Sequence, residues 1–343
     1  MFVVPKSEIT LGEVRFYGTD SGVNAVEIEQ SVDAVSNTAK VTIPRNFRRK
    51  DGKGILECIH VGDKATVRLG YNEKIETEFS GYVSAIGDGT PLVVELEDEI
   101  FQLKKTKVAN RLFTGEQTIQ DVLRHVLPAY TVDDNICVTL SSGYLLKDKT
   151  AYEVLKEIRE QYGFCIRIDS ETKTAKCYWP YDFKGFATHT YVFGTKDCTK
   201  LEQLRDRSLS PNIAKNNLKF VRKSDLKLQI TAKAMDRSGK KMSVTIGSTD
   251  SDASKRTLNF GCEVQTESEL KERAEQRLNR LSYDGYTGKI TGFGLPRTKA
   301  GDVLKLVDAD NLEREGSYLI RSVKITYSLS GGFRRENELS YKI

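Results

Sequence analysis

Three histidines and six cysteines are the residues of this chain best suited to metal or nucleophilic chemistry, and their spacing supports neither. His60 lies in the approach to a strand, His125 on the polar side of a helical stretch, and His189 in an aromatic-rich turn region. None stands with an acidic or cysteine partner at ligand spacing, so no metal site is expected. Cys58, Cys137, Cys165, Cys177, Cys198 and Cys262 are dispersed, several in strand-like contexts, and read as reduced, mostly buried small hydrophobes. The chain has no G-x-S-x-G elbow, no P-loop and no H-E-x-x-H. Glu95, Glu97, Asp98 and Glu99 offer paired carboxylates, but solvation of a strand edge accounts for them more simply than glycosidic chemistry. The expectation is a protein that is not an enzyme and that carries no cofactor.

One charged segment does suggest contact. The loop PRNFRRKDGKG carries Arg45, Arg48, Arg49, Lys50 and Lys53 around a single aromatic, Phe47. It reads either as a solvated loop or as a docking arm for an acidic protein or a phosphate backbone. With one aromatic interleaved, stacking of nucleic-acid bases is poorly supported. The formal net charge of +5, with 29% charged residues of both signs interspersed, is too mild to argue for nucleic acid. No run approaches the ~18 apolar residues of a membrane span. The N-terminal MFVVPKSEIT lacks the apolar core of a signal peptide, and the dispersed cysteines, read as reduced, lead to the expectation of a cytoplasmic product.

At 343 residues the chain suits two or three domains. Residues 1–105 read as short strands, among them EVRFYG, NAVEIEQ, AKVTIP, KATVRLG, EFSGYVSAI and PLVVELED, which point to a barrel or sandwich. From 106 to 190 the period changes. Ile119, Val122, Leu123, Val126 and Leu127 follow helical spacing behind Thr118 and Asp121, and Pro128 stops the run. Val154, Leu155, Ile158 and Tyr162 form a second stripe, with Thr150 and Glu153 as capping box and Gly163 as terminator. FCIRID and TAKCYWPY follow as a hairpin across SETK. Residues 191–343 return to strands, interrupted by the polar STDSDASK loop and by a helix at about 267–281. In that helix Thr266 and Glu269 are read as a capping box, and Leu270, Ala274, Leu278 and Leu281 as a narrow stripe.

The end of the chain echoes its beginning. Gly62-Asp63 and Gly301-Asp302 each start a strand, a charged loop follows, and the next strand carries Val83 and Ile86 or Ile320 and Val323. Gly62 stands 21 positions before Val83 and Gly301 stands 19 before Ile320, a difference that one loop absorbs. The ordered set suggests one module used twice. Leu319, Val323, Ile325 and Tyr327 share a strand face, and Leu339, Tyr341 and Ile343 alternate likewise. Ser330-Gly331-Gly332 provides the hairpin turn.

Taken in order, these parts resemble a known family. They are F-x-G-x-V (Phe79, Gly81, Val83), an LKK turn, a T-x-x-D-V-L helix, a helix ending YGF, the strand LKLQITAKAMD and an A-x-x-x-L helix (Ala274, Leu278). The last part is a pattern of Gly294, Pro296, Gly301, Asp302, Gly316, Tyr318 and Val323. The chain resembles the late-control D family of phage tail proteins, the baseplate hub of contractile tails, and is similar to the hub portion of VgrG proteins. The resemblance runs over nearly the whole chain. Ala300 stands where the family often has proline, and no OB domain or β-helical needle follows the second module.

The resemblance implies an α+β, mainly β fold. Two related tube-like antiparallel β-barrel modules (1–105 and 191–343) would flank a small α+β domain (106–190). It implies a stand-alone homotrimeric hub in which three chains with two barrels each form a pseudo-six-fold ring. The implied partners are a tail tube protein, a separate central spike protein and baseplate wedge proteins. Its place would be the virion tail baseplate, assembled in the bacterial cytoplasm, with no small-molecule substrate and no primary role in membrane or nucleic-acid contact. The alternatives are an OB-like nucleic-acid-binding protein and a tail-associated cell-wall hydrolase.

Overall fold

The computed structural model describes residues 4–18, 22–49, 51–115, 117–133, 140, 143–178, 185–195, 210–235, 240–260, 264 and 266–343. The fold is α+β and mainly β, with large antiparallel sheets and few helices. It divides into two compact units. Unit 1 takes residues 1–101, 185–218 and 288–340, and unit 2 takes 102–184, 219–287 and 341–343.

The first stretch of unit 1 contains β1 (Pro5–Leu11), β2 (Val14–Gly18), β3 (Ala25–Ser31), β4 (Thr38–Ile43), α1 (Ile55–Cys58), β5 (Lys64–Tyr71), β6 (Lys74–Ile86) and β7 (Leu92–Glu97). Alternation sets the faces. Val26 and Ile28 of β3, Ala39, Val41 and Ile43 of β4, and Ala65, Val67 and Leu69 of β5 are all buried, while the charged residues between them point outward.

Helix α2 (Ile100–Leu103) carries the chain from unit 1 into unit 2, which continues with β8 (Arg111–Phe113), α3 (Ile119–Val126), β9 (Thr131–Val132), β10 (Tyr144–Leu146), α4 (Ala151–Tyr162), β11 (Cys165–Asp169) and β12 (Thr174–Tyr178). Both capping boxes form as the sequence indicates. The Thr118 and Thr150 hydroxyls accept from the Asp121 and Glu153 amides, and the carboxylates accept in return from the Thr118 and Thr150 amides. Gly163 ends α4 in the left-handed region at φ 75°. The SETK hairpin forms, with β11 antiparallel to β12.

The chain then gives unit 1 two strands, β13 (Thr188–Val192) and β14 (Ile213–Asn216), before returning to unit 2. There it builds β15 (Lys219–Val221), β16 (Leu228–Met235), β17 (Lys241–Gly247), β18 (Ser254–Asn259) and α5 (Glu267–Leu281). Leu270 and Ala274 of α5 pack with Ala232, Ala234, Met242 and Phe260 in a small core. The cap of α5 is half of the expected box. The Thr266 hydroxyl accepts from the Glu269 amide, but the Glu269 carboxylate turns to Arg273 at 3.0 Å, where the charge pair outcompetes the reach back to the cap. The run STDSDASK ends inside β18, which pairs with β16 in parallel.

The last stretch supplies β19 (Gly285–Phe293), β20 (Val303–Val307), β21 (Gly316–Ser328) and β22 (Gly332–Lys342). Leu319, Val323, Ile325 and Tyr327 are buried as alternation requires; so are Leu339 and Tyr341, whereas Ile343 lies past the end of β22 and is exposed.

Among the described residues of unit 1, one order of strands occurs twice. Neighbours run β3-β4-β7-β6-β5-β1 at one end and β14-β19-β22-β21-β20-β13 at the other. The two sets also have the same order along the chain. Three of the neighbour pairs are antiparallel in both copies, β3/β4 with β14/β19, β4/β7 with β19/β22, and β5/β6 with β20/β21, and the antiparallel pair β6/β7 corresponds to the neighbours β21 and β22. The sixth strand departs from the pattern: β1 runs antiparallel to β5 and is followed outward by β2, whereas β13 runs parallel to β20.

Candidate assembly interface

The repeat is accurate to the residue at its first turn. The Gly62 amide donates to the Val83 carbonyl at 2.8 Å, and the Val83 amide donates back to the Asp63 carbonyl at 2.8 Å. In the second copy Gly301 donates to Ile320 at 2.9 Å, and Ile320 donates back to Asp302 at 2.8 Å. The Asp63 carboxylate accepts from the His60 amide and that of Asp302 from the Lys299 amide, each at 2.8 Å. Both glycines have positive φ, 99° and 88°.

The two copies are joined along the later half of β21, beyond the residues that pair with β20. Strand β3 pairs antiparallel with β21, Ile28 opposite Ile325. Lys324 reaches Glu27 at 2.9 Å and Glu29 at 3.3 Å, and the hydrogen bond it donates to Glu27 leads the effects that hold its ammonium above the usual lysine range. These partly exposed pairs contribute under about 1 kcal/mol each. The buried Val26, Ile28, Val323 and Ile325 contribute about 1.5–3 kcal/mol apiece, so apolar packing holds the joint and the charges fix its register.

A polar cluster reinforces it. Arg335 of β22 is wholly buried and donates from Nη2 to Glu78 Oε1 at 2.7 Å, from Nε to the Gly294 carbonyl at 2.9 Å and from Nη1 to the Thr298 carbonyl at 2.8 Å. Arg297 lies 3.6 Å from the same Glu78 carboxylate and donates to the Thr77 carbonyl. The Tyr71 hydroxyl donates to the Phe333 carbonyl at 2.8 Å and accepts from the Gly294 amide at 3.0 Å. The β5–β6 end of the first copy thus seats on the β19–β20 loop and the start of β22 in the second. Sequence reading did not find this cluster, although the parity of β22 places Arg335 and Asn337 on the same buried face as Leu339.

The basic loop is a fixed ledge. Phe47 packs on Phe16 with ring centroids 5.1 Å apart, and Arg48 bridges to Gly54 across the loop. Arg45 donates to the Asp88 carboxylate at 2.9 Å, and Arg49 meets Glu13 at 3.1 Å and Asp51 at 2.8 Å. Arg48 and Lys53 are exposed; Lys50 lies outside the described residues.

Of the residues considered for chemistry, His60 is exposed, and His125 faces the Ala109 carbonyl at 2.9 Å. His189 lies on β13 and not in a turn, and its Nε2 is 3.1 Å from the buried Asp302 carboxylate, an acidic partner that its sequence neighbours could not reveal. Cys165 and Cys177 are buried free thiols, burial pushing that of Cys177 up to about 12, and Cys58 is half-buried. Cys137, Cys198 and Cys262 lie outside the described residues. Asp98, at the end of β7, is raised to about 6, chiefly by burial, although the Asn37 and Ile100 amides and the Ser36 hydroxyl donate to it. Among the described residues no group of three or more His, Cys, Asp and Glu is placed to hold a metal ion, and no helix is long and apolar enough to cross a membrane.

Solved structures share this architecture end to end. A tail protein from Neisseria meningitidis MC58 matches with a TM-score of 0.63 at 13% identity, covering 98% of this chain and 96% of that one. The chain shares the fold of that tail protein. The 43 kDa tail protein of prophage MuSo2 from Shewanella oneidensis has it too, with a TM-score of 0.58, 16% identity and 97% of each chain covered. An E. coli component of the type VI secretion system, described as structurally similar to the T4 tail proteins gp27 and gp5, matches the tail-protein fold at a TM-score of 0.51. Its identity is 8%, with 93% of this chain and 73% of that one covered. No protein-family model and no curated protein matches the sequence.

Proposed function

We propose that this chain is the structural baseplate hub of a contractile phage tail or related injection system. The observation that carries the reading is the six-strand order used twice and joined at β3 and β21, in a chain with a tail-protein fold. Three such chains would present six similar sets, so a hexameric tail tube could stack on one face while a trimeric spike engages the other. The tube-like modules are then the set within residues 1–105 and the set that β13, which straddles residue 190, forms with β14 and β19–β22 of residues 191–343. The α+β part in 106–190 would decorate the ring and meet baseplate wedge proteins. The role is mechanical and not catalytic, it needs no cofactor, and its place is the virion tail baseplate after assembly in the bacterial cytoplasm.

Sedimentation and light scattering of the full chain, alone and mixed with a candidate spike protein, test this. A three-subunit mass is expected in at least one of the two samples. A chain that stays monomeric in both would overturn the ring.

A further inference from the structure

The joint inside unit 1 has a donor side and a receiving side. The first copy gives β3 and the β5–β6 end with Tyr71, Thr77 and Glu78. The second receives them on β21, on the β19–β20 loop and on the start of β22. Because the strand orders coincide, each copy also carries a counterpart of the side it does not use. In the second copy the counterpart of β3 is β14, and that of the β5–β6 end is the β20–β21 connection, residues 308–315. In the first copy the counterpart of the receiving β19–β20 loop is the β4–β5 connection, which contains the basic ledge.

These two leftover sides are opposite in charge. The connection DADNLEREG is held by Asp308, which is buried and accepts from the amides of Asp310 at 3.0 Å and Asn311 at 2.9 Å and from Arg314 at 3.1 Å. That leaves Glu313 exposed and Leu312 67% exposed at the tip. The ledge shows Arg48 and Lys53, with Leu56 46% exposed beside them. On β14, Ala214, Lys215 and Asn216 are exposed, whereas its counterpart β3 is covered by β21.

We infer that the acidic β20–β21 connection of one chain docks on the basic ledge of a second copy of this chain, repeating between chains the joint that exists within one. This rests on the ring reading above and assigns the residues that close the ring. Opposite charges bring the two sides together and set their register, and Leu312 and Leu56 give the contact an apolar centre.

The test uses the full chain under the assembly conditions that give a three-subunit mass. R48E/K53E and E313K/E315K are each expected to weaken the trimer by roughly ten-fold or more, with the thermal midpoint of the subunit unchanged, and combining the two pairs restores association. Replacing Arg48 and Glu313 together by cysteine should give covalent trimers under mild oxidation, and neither single replacement should. A trimer that both reversals leave intact and that R48C/E313C fails to cross-link overturns the docking while the ring stands. A wild-type chain that never trimerises, with or without a spike, overturns the ring and the docking with it.

Discussion

Arg335 and Glu78 lie 257 residues apart and meet at 2.7 Å, the one wholly buried and the other nearly so. Removing one partner strands a buried charge, so R335A is expected to cost about 3–5 kcal/mol, toward the lower end because Arg297 remains near Glu78. E78L/R335L should cost less than the sum of the single changes. Urea unfolding in a double-mutant cycle measures this, and strict additivity would show that the pair is uncoupled.

Gly62 and Gly301 hold the same turn with the same donors, so the same change should have the same effect. Alanine at either position is forced to a φ near +90°, and each substitution is expected to destabilise by about 1–3 kcal/mol. Unequal midpoints for G62A and G301A would argue against equivalent turns.

Asp98 predicts a pH dependence opposite to that of most carboxylates. Its folded value of about 6 lies above the unfolded value of about 3.9, so between them the native state binds more proton than the unfolded state. Stability should fall by about 2–3 kcal/mol as pH rises from ~4 to ~6 and stay level in this respect above that. D98N gives up the bond from the Asn37 amide and is less stable throughout, but its slope in this window should vanish. A variant that keeps the wild-type slope would place the titration elsewhere.

The helix caps make a graded series. T118A and T150A each remove half of a reciprocal box and should cost about 1 kcal/mol, and T266A, whose box is open on one side, should cost less. The bonds from Thr150 to Glu153 hold that carboxylate below its usual range, so their support is present above the ordinary glutamate value and fades as pH drops through the lowered one. Chemical denaturation of the three variants at neutral and acid pH reads both effects.

Local chemistry was legible in the sequence. A Gly-Asp turn, a Thr-x-x-Asp cap and the alternation of β21 depend on residues within a few positions of one another, and each forms where its spacing indicates. Partners brought together by topology were not. The parity of β22 says that Arg335 faces inward, yet nothing near it in sequence names Glu78. His189 likewise meets Asp302 from a separate strand. Strand β18 escaped notice because SKRTLN is mostly exposed and lacks the alternation of a half-buried strand. The Glu269 side of the third cap failed because a nearby arginine offered a better partner.

The sixth strand separates two copies that otherwise look alike. The first copy continues outward through β1 to β2, while the second stops at β13 among the described residues, with its polarity reversed relative to β1. Their rims are therefore offset by one ladder spacing, about 4.8 Å. At the β13 rim the Val192 amide and carbonyl and the Thr190 carbonyl already bond Asn212, so a strand seeking main-chain partners meets two different edges. In that way a twice-written chain still offers two addresses.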